Sequence, residues 1–130
     1  MHHSLKLSTS FLLLISLVDA ATVRLGNTTI LGEDITTKGL EFYGGIPFAE
    51  PPVGSLRLKP PVLKTSLDAP IFNATTFGAE CLQVPIFGAP DPSNLPRSED
   101  CLNINVIRPA GITSNTSLPI MMYIYGGGFL

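Results

Sequence analysis

The sequence contains little histidine and little charge. Its two histidines are His2 and His3, and Asp, Glu, Lys and Arg together make up only 14% of the 130 residues. After residue 3, therefore, no imidazole is present to act as a general base or to bind zinc. The formal net charge is −2 and the few Lys and Arg are not clustered. We therefore expect no nucleic acid as a partner.

Long apolar runs are also missing. The N-terminal run, residues 11–18, is much shorter than the stretch of about 20 residues that a helix needs to cross a bilayer. Lys6 precedes this run and the small residue Ala20 follows it. This order is typical of a secretory signal peptide rather than a membrane anchor. We expect residues 1–20 to be cleaved and the protein to be secreted, with no transmembrane segment left after cleavage.

Only two cysteines occur, Cys81 and Cys101. In an oxidising compartment such a pair favours a disulfide over a metal site. A zinc site would also lack partners, because both histidines belong to the expected signal peptide. We therefore expect the two cysteines to be bonded to each other.

Three Asn-x-Ser/Thr sequons fit the same compartment. Such a sequon is an acceptor for N-linked glycans in secreted proteins, although short motifs also arise by chance and stay unused. The candidate glycosylation sites are Asn27, Asn73 and Asn115.

Short β-forming runs, separated by Gly and Pro, predict strands and ordered loops with little helix. The stretch TVRLGNTTILGE predicts a hairpin around Gly26 and Asn27. Further strands are predicted over residues 40–46, 102–108 and 118–125. The last of these is almost continuously apolar, as in a strand buried on both faces of an α/β sheet. Because no amphipathic helix is visible to cover such a sheet, we expect the chain to be part of a larger domain.

The region after residue 40 is rich in glycine and proline. Gly44 and Gly45 are expected to break the strand over residues 40–46, and five prolines between Pro47 and Pro61 forbid regular structure. The same region carries apolar side chains that are costly to expose, so we predict an ordered segment packed on the body of the protein. These side chains are Ile46, Phe48, Val53, Leu56 and Leu58.

The apolar run over residues 118–125 leads into the glycines of YGGGF. Glycine lets a backbone approach a ligand closely. A phosphate loop is disfavoured, because the Lys-Ser/Thr of a P-loop and the spacing of G-x-G-x-x-G are both missing. A glycine loop after an early strand supplies N–H groups to the oxyanion hole of α/β-hydrolases. The candidate donors are Gly127 and Gly128, and the alternative is a plain glycine turn.

Four motifs in order resemble the type-B carboxylesterase/lipase family, and the resemblance covers about residues 23–130, nearly all of the chain after the expected signal peptide. They are FYGGIPFAEPPVGSLRLKPP, NATTFGAECLQ, SEDCLNINVIRP and LPIMMYIYGGGF. The first resembles the family's N-terminal signature, with Gly45, Ile46, Pro47, Ala49, Pro51, Pro52, Gly54 and Arg57 in register. Asn103 departs from the pattern, because the family usually has an aromatic residue there.

The resemblance implies an α/β-hydrolase fold, with residues 21–130 as its N-terminal portion. It implies a secreted carboxylic-ester hydrolase that acts on a small-molecule or lipid ester through a Ser-His-acid triad, with no cofactor. The chain has no G-x-S-x-G motif. We therefore expect it to be inactive alone. Two alternatives remain, a non-catalytic adhesion protein of cholinesterase type and a truncated gene product.

The resemblance also assigns roles to other residues. It implies that the Cys81–Cys101 bridge closes a surface loop, and that Arg57 and Glu99 form a buried ion pair. Residues 82–100 are interpreted either as a lid over the active site or as an ordinary surface loop.

Overall fold

The computed structural model describes residues 21–83 and 93–126. Over these ranges the chain forms short strands and two single-turn 3-10 helices, at Thr36–Lys38 and Gly54–Leu56. The strands are β1 (Thr22–Leu25), β2 (Thr28–Leu31), β3 (Glu33–Ile35), β4 (Leu40–Pro47), β5 (Ile71–Asn73), β6 (Glu80–Cys81), β7 (Arg97–Ser98) and β8 (Asn103–Pro109).

The first sheet has the order β1-β2-β5. Strands β1 and β2 are antiparallel and are joined by a tight turn at Gly26 and Asn27, where Gly26 has a φ of 59°. Glycine adopts this left-handed conformation without a Cβ clash. The predicted hairpin is therefore confirmed. Strand β5 then adds to β2 in parallel, with Thr29 opposite Ile71.

The second sheet has the order β3-β4-β8, and its long antiparallel pair is β4 with β8. The predicted strand over residues 102–108 is confirmed as β8. The predicted break at Gly44 and Gly45 is wrong, because β4 continues through both glycines with a β-bulge between Tyr43 and Ile46. Gly45 has a φ of 64°, and its N–H donates to Asn105 Oδ1 at 2.9 Å. The bulge accommodates the two glycines, and the pairing with β8 resumes at Ile46 opposite Ile104.

A small core joins the two sheets. Its buried members are Ala21, Ile30, Tyr43 and Ala74, and partly buried side chains such as Phe72 pack against them. Ile30 comes from the centre of the first sheet and Tyr43 from the second. The two sheets therefore share one apolar layer, although it is small for a chain of this length.

The proline-rich segment after β4 is ordered, as predicted. Ala49 is buried and forms an isolated bridge with Leu63, and the Glu50 N–H donates to Val62 O at 2.8 Å. The expectation that its apolar side chains are buried is wrong in part. Phe48 and Val53 are each 42% exposed and Leu58 is 92% exposed. Backbone hydrogen bonds, rather than apolar burial, hold these parts of the segment in place.

The expected buried strand over residues 118–125 is also not observed. Residues 118–126 have no regular secondary structure and are exposed, with Ile120 at 92% and Met121 at 94%. A strand exists only where a neighbouring strand supplies the ladder of hydrogen bonds. No strand of the described chain pairs with this run.

Candidate active site

The candidate oxyanion donors, Gly127 and Gly128, lie outside the described residues. The description ends at Gly126, where a Cβ atom would meet nothing within 4 Å. The preceding Tyr125 is 64% exposed. The approach to the glycine loop therefore has open space around it within the described part of the chain.

The structure joins Cys81 and Cys101 in a disulfide with a Cα–Cα distance of 5.0 Å. The bridge lies beside the two-stranded parallel pair of β6 and β7, in which Cys81 is opposite Ser98. The bridge closes the loop over residues 81–101, and residues 84–92 of that loop lie outside the described ranges. The choice between a lid and an ordinary loop stays a prediction.

Arg57 and Glu99 lie in contact, with Arg57 Nε 2.6 Å from Glu99 Oε1. The pair links the proline-rich segment to the chain just before Cys101. The expected burial is wrong for the described chain, because the two side chains are 56% and 37% exposed. Solvent therefore screens their attraction.

Asn103 has a structural role that sequence reasoning missed. Its Nδ2 donates to Ala79 O at 3.0 Å and to Cys101 O at 3.1 Å. Gly78 lies directly against this amide, since a Cβ atom there would be 2.6 Å from Asn103 Cγ. The amide thus ties the chain on both sides of the disulfide to the start of β8. Its only signal in the sequence was the departure from the family's aromatic residue.

A polar cluster of Glu41, Tyr43 and Arg108 was also not predicted. Glu41 and Arg108 are opposite each other in the β4–β8 ladder, and Arg108 Nε donates to Glu41 Oε2 at 2.6 Å. The Tyr43 hydroxyl donates to the same carboxylate oxygen at 2.8 Å and accepts from the Arg108 guanidinium at 3.0 Å. The side chains are largely buried, with 12% of Glu41 and 27% of Arg108 exposed.

This cluster also holds the end of β8. The Gly111 N–H donates to Glu41 Oε1 at 3.2 Å, and the Ala110 N–H donates to Gly39 O at 2.9 Å. The chain leaves the sheet at this point and continues toward the glycine loop. Glu41 therefore fixes where that connection begins.

The environment of the cluster shifts the pKa values of Glu41 and Tyr43. Burial by itself raises the pKa of the Glu41 carboxyl, but hydrogen bonds from Tyr43, Arg108 and the Gly111 N–H outweigh it and hold the pKa below the usual value. Burial and the hydrogen bond to Glu41 raise the pKa of Tyr43 to about 12. Glu41 is thus ionised and Tyr43 neutral at physiological pH.

Lys64 anchors the proline-rich segment in a similar way. Its ammonium group lies 3.1 Å from Asp68 Oδ2 and 3.2 Å from Glu50 Oε2, and only 11% of the side chain is exposed. The hydrogen bonds to Asp68 and Glu50 raise the pKa of Lys64. The contact joins the two ends of the proline-rich segment, where the Lys64 N–H also donates to Phe48 O.

The three sequons all place their asparagine at the surface. Asn27 lies in the β1–β2 turn, Asn73 ends β5, and Asn115 lies in the loop after β8. Within residues 21–83 and 93–126, no helix has the length and apolar character required to cross a membrane.

Comparison with known proteins identifies the family of this arrangement. A model of the carboxylesterase family matches residues 19–130. Lipase 4 of Diutina rugosa is 40% identical over 96% of the chain and 26% of its own length. Secreted lipase 1 of Botryotinia fuckeliana is 39% identical over 78% of the chain, and acetylcholinesterase 1 of Caenorhabditis elegans is 41% identical over 77%. The chain spans about a quarter or less of the length of these relatives.

The solved structures to which this chain is similar are also esterases. Aspergillus niger EstA superimposes with a TM-score of 0.69 and 31% identity, covering 85% of this chain and 20% of EstA. A PNB esterase superimposes with a TM-score of 0.68 and 35% identity, covering 83% of this chain and 21% of that enzyme. The predicted fold class, part of an α/β-hydrolase with many short strands and little helix, is confirmed. The chain belongs to the carboxylesterase family.

Proposed function

We propose that this protein is a secreted carboxylic-ester hydrolase, and that residues 21–130 are the N-terminal portion of its catalytic domain. The observation that carries the proposal is the family match over residues 19–130, which runs through the glycine motif YGGGF. The relatives include lipases, a carboxylesterase and an acetylcholinesterase, and all of these names denote hydrolases of esters. The substrate is therefore a small-molecule or lipid ester.

The chemistry assigned to this chain is stabilisation of negative charge. The backbone N–H groups of Gly127 and Gly128 donate to the oxygen of the substrate carbonyl as it becomes an oxyanion. A donor of this kind stabilises the transition state by about 3–4 kcal/mol. It stabilises the ground state much less, because the negative charge on the carbonyl oxygen is still small there. We assign the Ser, acid and His of the triad to the part of the catalytic domain that this chain does not span, since it covers only about a quarter of the length of its relatives.

The described residues support this site by positioning its approach. Glu41 and Arg108 hold the end of β8, from which residues 110–126 lead to the glycine loop. Asn103 and the disulfide hold the base of the loop over residues 81–101. These contacts fix the points at which both segments leave the sheets, which is the kind of support that a preorganised site requires.

Secretion is the second part of the proposal. Residues 1–20 have the composition of a signal peptide, and a relative is named a secreted lipase. Cleavage after Ala20 leaves Ala21, which is buried in the core, as the first residue. Amino-terminal sequencing of protein from the culture medium tests this. A first residue other than Ala21 would show that cleavage occurs at a different site.

The oxyanion role is tested in the full-length protein with Gly128→Val. A branched side chain forces a glycine loop to change shape and turns its N–H away from the oxyanion. We expect kcat to fall by about 10²–10³ and KM to change much less. Ser114→Val adds the same side chain at an exposed loop position and serves as the matched control. A folded Gly128→Val protein with the kcat of the control would show that the loop is only a turn.

A further inference from the structure

In two of the three sequons, at Asn73 and Asn27, the polar residues have structural roles in the fold. Asn73 closes a tight turn at the end of β5, where its Oδ1 accepts from the Thr75 N–H at 3.1 Å and from the Thr75 hydroxyl at 2.8 Å. The residue between them, Ala74, is fully buried and donates its N–H to Leu31 O. Both polar residues of this sequon therefore serve the local fold.

The sequon at Asn27 is likewise part of the sheet. Thr28 is 3% exposed and its hydroxyl donates to Ala69 O at 2.8 Å. Thr29, which carries the hydroxyl that defines the sequon, lies in the central strand with Arg24 on one side and Ile71 on the other. On the folded protein, Asn27 is exposed in the turn whereas Thr29 is held in the central strand, so the two residues of this sequon are not presented together.

The sequon at Asn115 differs, because nothing in the described sheets holds it. Asn115, Thr116 and Ser117 are all exposed and lie in the loop that follows β8. Within the loop, the Thr116 N–H donates to Thr113 O, and the hydroxyl groups of the two threonines are in contact. The Asn115 amide and the Ser117 hydroxyl are thus presented together outside the sheets.

We propose that Asn115 is the preferred N-glycosylation site, because among the three sequons it is the one in which both the Asn and the Ser/Thr are exposed. The co-substrate is an oligosaccharide carried on a lipid diphosphate. A bond forms between Asn115 Nδ2 and the anomeric carbon of the first sugar, while the bond from that carbon to the diphosphate oxygen breaks. The amide loses one proton and the lipid diphosphate leaves. This inference rests on the proposed passage through the secretory pathway.

The position also gives the glycan a physical effect. Asn115 precedes the exposed apolar run over residues 118–125, which contains no charged residue. Glycans are bulky and solubilising. A glycan at Asn115 therefore lies next to an exposed apolar stretch of the described chain and adds a bulky, solubilising group there.

The test uses the full chain with its own leader, expressed in a eukaryotic secretory host. Secreted protein is digested and treated with an amidase that converts each glycan-bearing Asn to Asp in isotopically labelled water. We expect mass spectrometry to find higher occupancy at Asn115 than at Asn27 or Asn73. Asn115→Gln and Ser117→Ala should each remove one glycan, whereas Ser117→Thr should retain it.

Matched variants separate the possible outcomes. Asn27→Gln and Asn73→Gln should leave the Asn115 glycan in place. Secreted protein with Asn115 unmodified, or with lower occupancy there than at either other site, would overturn the assignment and leave secretion and ester hydrolysis standing. Protein that stays in the cell without any glycan would overturn both the site and the proposed secretion.

Discussion

The contact between Glu41 and Arg108 gives the most direct test of how this sheet is stabilised. Arg108 Nε lies 2.6 Å from Glu41 Oε2, and the same carboxylate accepts from Tyr43 and from the Gly111 N–H. Glu41→Gln keeps the size of the side chain but removes its charge. Arg108→Met keeps most of the apolar stem and removes the guanidinium.

The expected loss follows from the number and type of hydrogen bonds. A hydrogen bond to a charged group contributes about 1.5–3 kcal/mol, and the three bonds to Glu41 share one carboxylate and are not additive. Because Gln still accepts one or two of them, we expect Glu41→Gln to lower the free energy of unfolding by about 2–3 kcal/mol. Arg108→Met should cost a similar amount, and the double variant should cost less than the sum by about 1–2 kcal/mol.

The pH dependence has a definite sign. The pKa of Glu41 is lowered in the folded protein, so its contribution is present above the ordinary carboxyl pKa of about 4.3. That contribution is lost as the pH falls through the lowered folded value. The wild-type protein should therefore lose more stability than Glu41→Gln when the pH is reduced below about 4.

Urea unfolding of the purified protein measures both effects. Glu33→Gln is the matched control, because Glu33 is an exposed carboxylate on the neighbouring strand β3, and its loss should stay within about 0.5 kcal/mol. If Glu41→Gln matched this control, or if the losses at Glu41 and Arg108 were strictly additive, the cluster would not be a stabilising unit.

Further predictions concern the pairs and the activity of the chain. Replacing Cys81 and Cys101 with Ser should lower the free energy of unfolding by about 3 kcal/mol in the chain-entropy model, and an unchanged urea midpoint would contradict this. A double-mutant cycle on Arg57 and Glu99 should give a coupling below about 1 kcal/mol, because both side chains are substantially exposed, and a larger value would mean that the rest of the protein buries them. The 130-residue chain should not hydrolyse a nitrophenyl ester above a heat-treated control, since it has no histidine after residue 3 and no G-x-S-x-G motif.

The parts of the fold that could be predicted from the sequence depend on local chemistry. The β1–β2 hairpin follows from β-forming residues around a Gly-Asn turn, whose geometry is decided within four residues. The strand β8 follows from alternating side chains over its own length. In both cases the deciding interactions lie within the segment, so a single sequence contains them.

Non-local pairing explains the predictions that failed. Gly44 and Gly45 were expected to end a strand, because glycine weakens strands in isolation. In the structure the ladder to β8 continues past them, and Asn105, 60 residues away, accepts from the Gly45 N–H. The apolar run over residues 118–125 shows the opposite case. Its residues favour a strand, but no described strand pairs with it, so the pattern alone does not produce one.

The approach to the candidate site depends on the same kind of long-range contact. Glu41 and Arg108 are 67 residues apart, and they meet only because the β4–β8 register places them opposite each other. Once they meet, Glu41 also accepts from the Gly111 N–H and so fixes the first residues of the connection toward the glycine loop. A shift of this register by one residue would move Arg108 to the other face of the sheet and release that connection. The bulge at Gly44 and Gly45 sets the register on the other side of Tyr43. The bulge at the glycines of the first family motif and the contact that holds Gly111 therefore belong to one β4–β8 pair, and from the end of that pair the chain continues toward the last family motif.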